Sequence, residues 1–469
     1  MQLILGVFAS ILSSQHPNQC FFRSTRDTKP RNSYALLMTN NLKLITVSMT
    51  SILTATGCAT THSSGASHVE LKQSNGNYTL LKDGEPYTIL GVGGTTQLDT
   101  LAKYGGNTVR TWDAEGIGPM LDEAEEHGIS VVAGIWLEHQ RHGLDYSVPH
   151  QREEELERVR LLVNEHKDHP ALLAWGVGNE LELGGDFDIA LQQINDAAAI
   201  IKELDPNHPR MAVIAEIGDD KARRIQDECP DIDFIGINSY GGMGSLTPRL
   251  KAQDYTGAFA ITEFGPIGHW ETGNSPWGAP YEQSSSAKAK FIKANYERTI
   301  EANLGEQCLG SFAFLWGNKQ EKTETWYGLI LPTGETTESV DVLSTLWTGE
   351  EPENKAPRVS EIDLGSKDAG NLQAGQKIRV RVVCNDPDND PLEVEWRIIP
   401  ESTAVSMGGD HESGIQSMKI DIKPLGTKRA EITLPSKPGE YRIFATVRDG
   451  HKHGGTVNLP ILIKGNAAE

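Results

Sequence analysis

The feature that most restricts the fold of this chain is an alternation of short apolar segments with helical segments. Counting Ile89 to Gly93 as the first, eight predicted strands alternate with helices over about 260 residues. Strands that read as continuous apolar runs are typical of a parallel sheet covered by helices. The size and the rhythm predict an α/β fold, a (β/α)8 TIM barrel over residues 77–349. A doubly wound open sheet is the alternative, but Gly91-Val92-Gly93-Gly94 lacks the glycine spacing of a dinucleotide-binding turn.

The last quarter of the chain has a different pattern. Residues 350–357 are charged and contain proline, which predicts a linker. Residues 358–465 show alternating polar and apolar positions interrupted by turn clusters, which predicts a small immunoglobulin-like β-sandwich. We expect this second domain to act as a spacer.

The start of the chain reads as a targeting segment. An apolar stretch ends in Leu53-Thr54-Ala55-Thr56-Gly57-Cys58 and is too short to span a membrane. Small residues directly before a cysteine resemble the lipobox of bacterial lipoproteins, which implies cleavage and acylation at Cys58. We therefore expect a leader over residues 1–58, of which 1–37 lie upstream of the start at Met38, and a tether over 59–76. A plain signal peptide with an incidental cysteine is the alternative.

Charge and cysteine usage exclude several classes of protein. The net charge of −21 argues against a nucleic-acid partner. Cys229, Cys308 and Cys384 are widely spaced and odd in number, so we expect buried free thiols and neither disulfides nor a zinc site. The sequence predicts no cofactor and leaves the oligomeric state open.

Two of the predicted strands end in the same way. Leu172 to Val177 is apolar and is followed by Gly178-Asn179-Glu180, and Phe259 to Thr262 leads directly to Glu263. Because the carboxyl ends of the strands of such a barrel line the active site, the two carboxylates are expected to face each other across its mouth. Glycoside cleavage needs two carboxylates that flank the bond, one as an acid and one as a base or nucleophile.

Other side chains that chemistry can use follow the same strand ends. They combine one arginine, carboxylates and flat aromatic rings, a set suited to a carbohydrate ligand, and they lack a serine nucleophile or a phosphate loop. They are Arg110, Trp112, Trp136, Glu138, His139, Asn179, Glu216, Asn238, Tyr240 and Trp316. Trp270 and Trp277 lie in a loop after Glu263, where sugar stacking and local packing are both open.

An asparagine–glutamate pair after strand four and a glutamate after strand seven resemble the large clan of retaining (β/α)8 glycoside hydrolases. Asn107-Thr108-Val109-Arg110, Trp175-Gly176-Val177-Gly178-Asn179-Glu180 and Ile261-Thr262-Glu263-Phe264-Gly265 are most similar to the catalytic barrel of glycoside hydrolase family 2. The resemblance covers roughly residues 87–349 and includes Trp326-Tyr327-Gly328-Leu329. Two departures are the absence of the N-terminal sandwich domains of typical members and of an evident metal-binding Glu/His set.

The resemblance implies a role for each matching residue. Glu180 would be the acid/base and Glu263 the nucleophile, while Asn179 would bond the 2-hydroxyl of the attacked sugar. Arg110 and Tyr240 would keep Glu263 ionised and oriented. Trp316 would form the floor beneath that sugar. Trp112, Trp136, Glu138 and His139 are further candidates for substrate contacts.

The C-terminal domain carries a resemblance of its own. Asn385-Asp386-Pro387-Asp388-Asn389-Asp390-Pro391 resembles the acidic turns of the cadherin and polycystic-kidney-disease classes of sandwich module. Such a turn offers hard oxygen ligands for Ca²⁺, but an Asx/Pro turn without metal explains the same residues.

Together these patterns predict an exported, lipid-anchored retaining β-glycoside hydrolase that acts on a β-linked glucan by double displacement. A β-galactoside or a β-mannan is the next substrate. A β-glucan transglycosylase with the same catalytic pair remains open, because hydrolysis and transfer differ only in the second nucleophile. A catalytically inactive surface glycan-binding protein is the alternative from a different class.

Overall fold

The computed structural model describes residues 65–405 and 407–465. The expected leader, the expected acylation site Cys58 and residues 59–64 of the expected tether lie outside these residues. The tether was expected to reach residue 76, but Val69–Ser74 forms a strand, β1, so these residues belong to a sheet and not to a flexible tether. Within the described ranges, no helix is both long and apolar enough to cross a membrane.

A three-stranded antiparallel sheet precedes the barrel. It consists of β1, β2 (Asn77–Lys82) and β3 (Glu85–Tyr87), and β2 and β3 are joined by a turn at Asp83-Gly84, a residue pair typical of hairpin turns. Val69 and Leu80 are buried in the same apolar cluster as residues near the start of several barrel strands. The sheet therefore covers the end of the barrel opposite the strand ends that carry the candidate residues.

Eight parallel strands close into a barrel, which confirms the predicted fold class. The strands are β4 (Ile89–Gly93), β5 (Thr108–Arg110), β6 (Ser130–Ile135), β7 (Leu172–Val177), β8 (Arg210–Ala215), β9 (Phe234–Asn238), β10 (Phe259–Phe264) and β11 (Cys308–Ala313). Every residue of β6, β7, β10 and β11 is buried, as the continuous apolar runs predicted.

Each barrel strand is followed by a helix. The helices are α1 (Leu98–Lys103), α2 (Gly118–Glu126), α3 (Pro149–His166), α4 (Phe187–Leu204), α5 (Lys221–Glu228), α6 (Leu246–Ala252), α7 (Ser285–Asn295) and α8 (Glu338–Thr348). The sequence patterns predict helices at residues 98–104, 119–127, 152–167, 189–204, 221–228, 286–302 and 338–346, and they predict none at α6. In α4 the side chain of Asp186 caps the first turn by accepting from the backbone N–H groups of Asp188 and Ile189 at 2.9 and 3.3 Å.

Two four-stranded sheets form the C-terminal region. Their strands are β12 (Arg358–Asp363), β13 (Leu372–Gln373), β14 (Lys377–Asn385), β15 (Glu393–Pro400), β16 (Ile422–Pro424), β17 (Arg429–Thr433), β18 (Gly439–Arg448) and β19 (Gly454–Lys464). The sheet orders are β12-β14-β17-β16 and β13-β19-β18-β15. Ile378, Val380 and Val382 alternate with exposed residues along β14, because one face of a sandwich sheet is buried and the other meets water.

The C-terminal sandwich is not the separate spacer that the sequence suggested. Ser285 and Ser286 on α7 accept from the backbone N–H groups of Thr456 and Val359 at 2.7 and 2.9 Å. The guanidinium of Arg442, itself buried, donates to the backbone oxygen of Pro280 at 2.5 Å. These contacts bury polar groups of both regions against each other, which fixes the sandwich on the barrel wall.

The three cysteines among the described residues are free and buried, as predicted. Burial raises the pKa of Cys229 and of Cys308 to about 12, so both remain thiols at neutral pH. They contribute to packing.

Candidate active site

A cavity of about 430 Å³ opens where the barrel strands end. Its wall brings together residues from several strand ends, from the loop after β11, and from the long connection between β15 and β16. Among them are Trp112, Trp136, Asn179, Glu180, Tyr240, Glu263, Trp270, Phe314, Leu315, Lys319, Glu321 and the segment Gly408–His411.

Glu263 is held by three side-chain donors. Arg110 Nη1 and Trp112 Nε1 each lie 3.0 Å from its Oε1, and the hydroxyl of Tyr240 lies 2.8 Å from its Oε2. Burial raises the pKa of Tyr240 well above its ordinary value, so this hydroxyl keeps its proton and donates. Hydrogen bonds to both oxygens therefore orient the carboxylate. The guanidinium that faces it belongs to Arg110, a residue that is only 1% exposed.

Glu180 has a different environment. Only 9% of the residue is exposed, and its Oε1 accepts one hydrogen bond from the amide of Asn238 at 2.8 Å. Burial, together with the negative charge of Glu263, raises the pKa of Glu180 to about 8. The side chain thus holds a proton at neutral pH. Its backbone φ of +54° is rare for a residue with a side chain and aims the carboxyl group out of the sharp turn after β7.

Two amide side chains connect the carboxylates. Arg110 donates through Nη2 to Asn179 Oδ1 at 2.7 Å, and Asn238 Nδ2 donates to the same oxygen at 3.2 Å. Thr262 fixes Asn238 in turn by donating to its Oδ1 at 2.7 Å. The chain of contacts from Glu263 through Arg110, Asn179 and Asn238 to Glu180 sets the relative positions of the two acids.

The contrast between the two acids defines the chemistry of the site. One carboxyl group is buried and protonated, which suits a general acid that later acts as a base. The other is bound by a guanidinium and two further donors, which suits a positioned nucleophile or a charge that stabilises a cation. This division of roles is what cleavage of a glycosidic bond requires.

Aromatic rings surround these acids. Trp112 and Trp136 line the cavity, as does Trp270, which is 60% exposed and packs edge-on against Tyr240. Trp277 lies instead beside Gly370 of the sandwich and does not line the cavity.

Trp316, which was predicted to form the floor beneath the sugar, does not line the cavity. It is 2% exposed and belongs to the apolar core of the barrel, and the cavity surface at this strand end is formed by Phe314 and Leu315.

The candidates after β6 form a cluster that is able to hold a metal. Glu138, His139 and His142 each offer a ligand atom, and these atoms lie within 4.8 Å of one another. Burial, followed by the charges of Arg141 and His142, lowers the pKa of His139 to about 4, so its ring is neutral as a metal ligand must be. No such Glu/His set is evident from the sequence alone. Glu138 also accepts from His142 at 2.9 Å and from Trp136 at 3.3 Å.

The acidic turn of the sandwich offers a second group of this kind. Asp386, Asp390 and Asp449 place carboxylate oxygens within 4.8 Å of one another. Asp386 Oδ1 also accepts from the backbone N–H groups of Asp388 and Asp390 at 2.9 and 3.0 Å, the contacts of an Asx turn. Both interpretations made from the sequence are compatible with this geometry.

Sequence reasoning left some groups of this region without a role and gave no signal for others. Asn238 was on the shortlist without a role, and its contact to Glu180 gives it one. Glu216 is paired with Arg249 at 2.6 Å and does not line the cavity. Lys319 and Glu321, paired at 2.9 Å, come from the loop after β11 and had no local signal. The segment Gly408–His411 comes from the other domain, which no strand-end argument reaches.

Comparison with known proteins shows a family to which part of the barrel is similar. Residues 99–296 match the family model described as glycosyl hydrolases family 2, TIM barrel domain. No curated protein matches the chain by sequence.

Solved structures similar to the chain include a calcium-binding mutant of Bacteroides uniformis beta-glucuronidase 2, at 13% identity and a TM-score of 0.46, over 85% of this chain and 48% of that one. Another is Bifidobacterium dentium beta-glucuronidase complexed with coumarin-3-O-glucuronide, at 18% identity and a TM-score of 0.47, over 60% of this chain and 49% of that one. The chain thus spans about half the length of these proteins.

Proposed function

We propose that the protein is a retaining β-glycoside hydrolase. The premise is the match of residues 99–296 to the family 2 glycosyl hydrolase TIM barrel domain. Glu263 attacks the anomeric carbon and forms a glycosyl-enzyme, while Glu180 gives its proton to the leaving oxygen. Glu180 then takes a proton from water, which attacks the same carbon and releases Glu263. Each of the two steps forms one bond to the anomeric carbon and breaks another. The anomeric configuration is inverted twice and is therefore retained overall.

The observation that carries this proposal is the difference between the surroundings of the two acids. Glu263 has three donors at 2.8–3.0 Å, whereas Glu180 is buried with a pKa raised to about 8. This arrangement suits a general acid at neutral pH and a positioned nucleophile. Arg110 contacts Glu263 and Asn179 together, so a single cation positions the nucleophile and the predicted ligand of the 2-hydroxyl.

For the substrate we propose a β-linked glucan or a related oligosaccharide. The rings of Trp112, Trp136 and Trp270 at the cavity support a sugar ligand, because flat aromatic faces stack on the apolar faces of pyranose rings. A β-galactoside, a β-mannan and a β-glucuronide are the alternatives that the test must separate.

The test is a panel of 4-nitrophenyl β-glycosides and β-linked polysaccharides, with product chromatography and NMR detection of the first anomer released. The proposal predicts cleavage of at least one β-glycoside with the β-anomer appearing first. Glu180→Gln and Glu263→Ala should each abolish turnover of unactivated substrates. Wild-type turnover in both variants, or release of the α-anomer first, contradicts the assignment. Transfer products formed with added acceptor sugars would favour the transglycosylase.

We further propose that the protein is exported and anchored to the bacterial cell envelope through acylation of Cys58. The sequence Thr54-Ala55-Thr56-Gly57-Cys58 supports this proposal. A surface location suits an enzyme that meets large external glycans.

A further inference from the structure

The long connection between β15 and β16 leaves the sandwich, reaches the mouth of the barrel and returns to the sandwich. A Cβ atom built on Gly408 lies 3.4 Å from Glu180 Oε2 and 3.2 Å from Arg141 Nη2. The φ of Gly408 is +58°, a conformation that side chains rarely adopt, so glycine lets the backbone approach this closely. The sandwich therefore reaches the immediate surroundings of the proposed acid.

Polar contacts hold this segment against the barrel. Asp410 Oδ1 accepts from Arg141 Nη2 at 3.1 Å and lies 3.3 Å from His142 Nε2. On the other side, Lys319 Nζ donates to the backbone oxygen of Gly409 at 2.9 Å. Farther along, the backbone N–H of Lys322 donates to Glu412 at 2.9 Å. The segment is thus clamped between the loop after β6 and the loop after β11.

The side of the cavity on which this segment lies follows from the roles of the acids. The general acid protonates the leaving oxygen, so it stands on the side of the leaving group. Glu180 Oε1 is taken by Asn238, and Oε2 is the oxygen near Gly408. Trp112 and Tyr240 hold Glu263 on the side of the attacked ring. Gly408–His411 consequently faces the departing half of the substrate.

The chemistry of this wall is polar. It presents the carboxylate of Asp410 and the imidazoles of His142 and His411, beside the ring of Trp136. Groups that both accept and donate hydrogen bonds suit a ligand with several hydroxyls. We propose that Gly408–His411 of the sandwich forms the leaving-group subsite and that this subsite selects a sugar with free hydroxyl groups. The inference rests on the proposed function, and it makes the C-terminal domain part of the active site.

The experiment compares two substrates with the same glycone, one with a sugar as the leaving group and one with 4-nitrophenol. The wild type, Asp410→Ala and Asp410→Asn are assayed on both, with thermal melting as the check of folding. Asp363→Ala is the matched control, because it removes an aspartate–arginine pair of the same sandwich, 3.0 Å long, neither member of which lines the cavity.

We expect kcat/KM for the sugar leaving group to fall about 10- to 100-fold in Asp410→Ala, the range for losing a hydrogen bond to a charged group. The loss on the 4-nitrophenyl glycoside should be at least several-fold smaller, and Asp363→Ala should match the wild type on both. Equal losses on the two substrates in both Asp410 variants, or no loss, overturn the subsite while leaving the glycosidase intact. Failure of the wild type to cleave either substrate overturns both proposals.

Discussion

Replacing Asn238 by alanine tests the electrostatic account of the acid directly. The amide of Asn238 donates to Glu180 Oε1 at 2.8 Å, and this contact lowers the pKa of Glu180, against the larger effects of burial and of the charge of Glu263. When the donor is removed, burial and the charge of Glu263 still raise the pKa of Glu180. The pKa of Glu180 should therefore move up from about 8.

The size of the shift follows from the strength of one hydrogen bond. A bond to a charged group contributes about 1.5–3 kcal/mol, and one pKa unit corresponds to about 1.4 kcal/mol. We expect the lower end, about one unit, because Arg110 still lowers the pKa of Glu180 in the variant.

The assay is the pH dependence of kcat/KM, which reports the ionisations of the free enzyme. A general acid works only while protonated, so the wild type should lose activity as the pH rises through about 8. In Asn238→Ala this alkaline limb should lie about one pH unit higher, with a lower plateau because Asn179 loses a partner. Asn164→Ala, on the exposed face of α3, is the control and should keep the wild-type profile. An alkaline limb that stays in place or moves down refutes the reasoning.

Three further predictions concern other parts of the molecule. Burial raises the pKa of Asp341 to about 6, so its ionised form destabilises the fold above that pH; Asp341→Asn should raise the melting temperature at pH 7–8, with the gain shrinking as the pH falls towards 4. A gain that is the same at every pH would exclude this cause. Glu263→Ala should be inactive on 4-nitrophenyl glycosides and partly restored by azide, giving a product of inverted configuration; restoration without inversion contradicts a nucleophilic role. Cys58→Ser should move the full chain from the detergent phase to the aqueous phase, and unchanged partitioning would disprove the lipid anchor.

Much of the barrel was predictable because its signals are local. Leu172–Val177 and Phe259–Phe264 are buried along their whole length, and the apolar runs Leu172–Val177 and 259–261 make each strand visible in the sequence. A polar residue at the end of such a strand lies at the mouth of the barrel. Glu180, Glu263, Arg110 and Asn179 reach the site for this reason.

Trp316 shows where that argument fails. The sequence pattern predicts the last barrel strand over residues 311–315, but the strand spans Cys308–Ala313. Once a strand ends, the alternation of side chains no longer tells which of Phe314, Leu315 and Trp316 faces the cavity. An error of two residues in the predicted end of the strand was enough to assign a core residue to the cavity surface.

The wall contributed by the sandwich was beyond local reasoning. Arg141 and Asp410 are 269 positions apart, and the connection around Gly408 has neither apolar periodicity nor a motif. Its place is decided by the docking of two domains through contacts such as those of Ser285 and Arg442, which no single segment encodes.

The most direct test of the central claim is to trap the glycosyl-enzyme. Incubation with a 2-deoxy-2-fluoro aryl glycoside of the preferred sugar should slow both steps and leave the sugar attached to the protein. Mass spectrometry should then show an added mass of one fluoro-sugar on the peptide that contains Glu263, and none in Glu263→Ala. A label on another residue, or turnover of the preferred substrate with no covalent adduct, contradicts the double-displacement account.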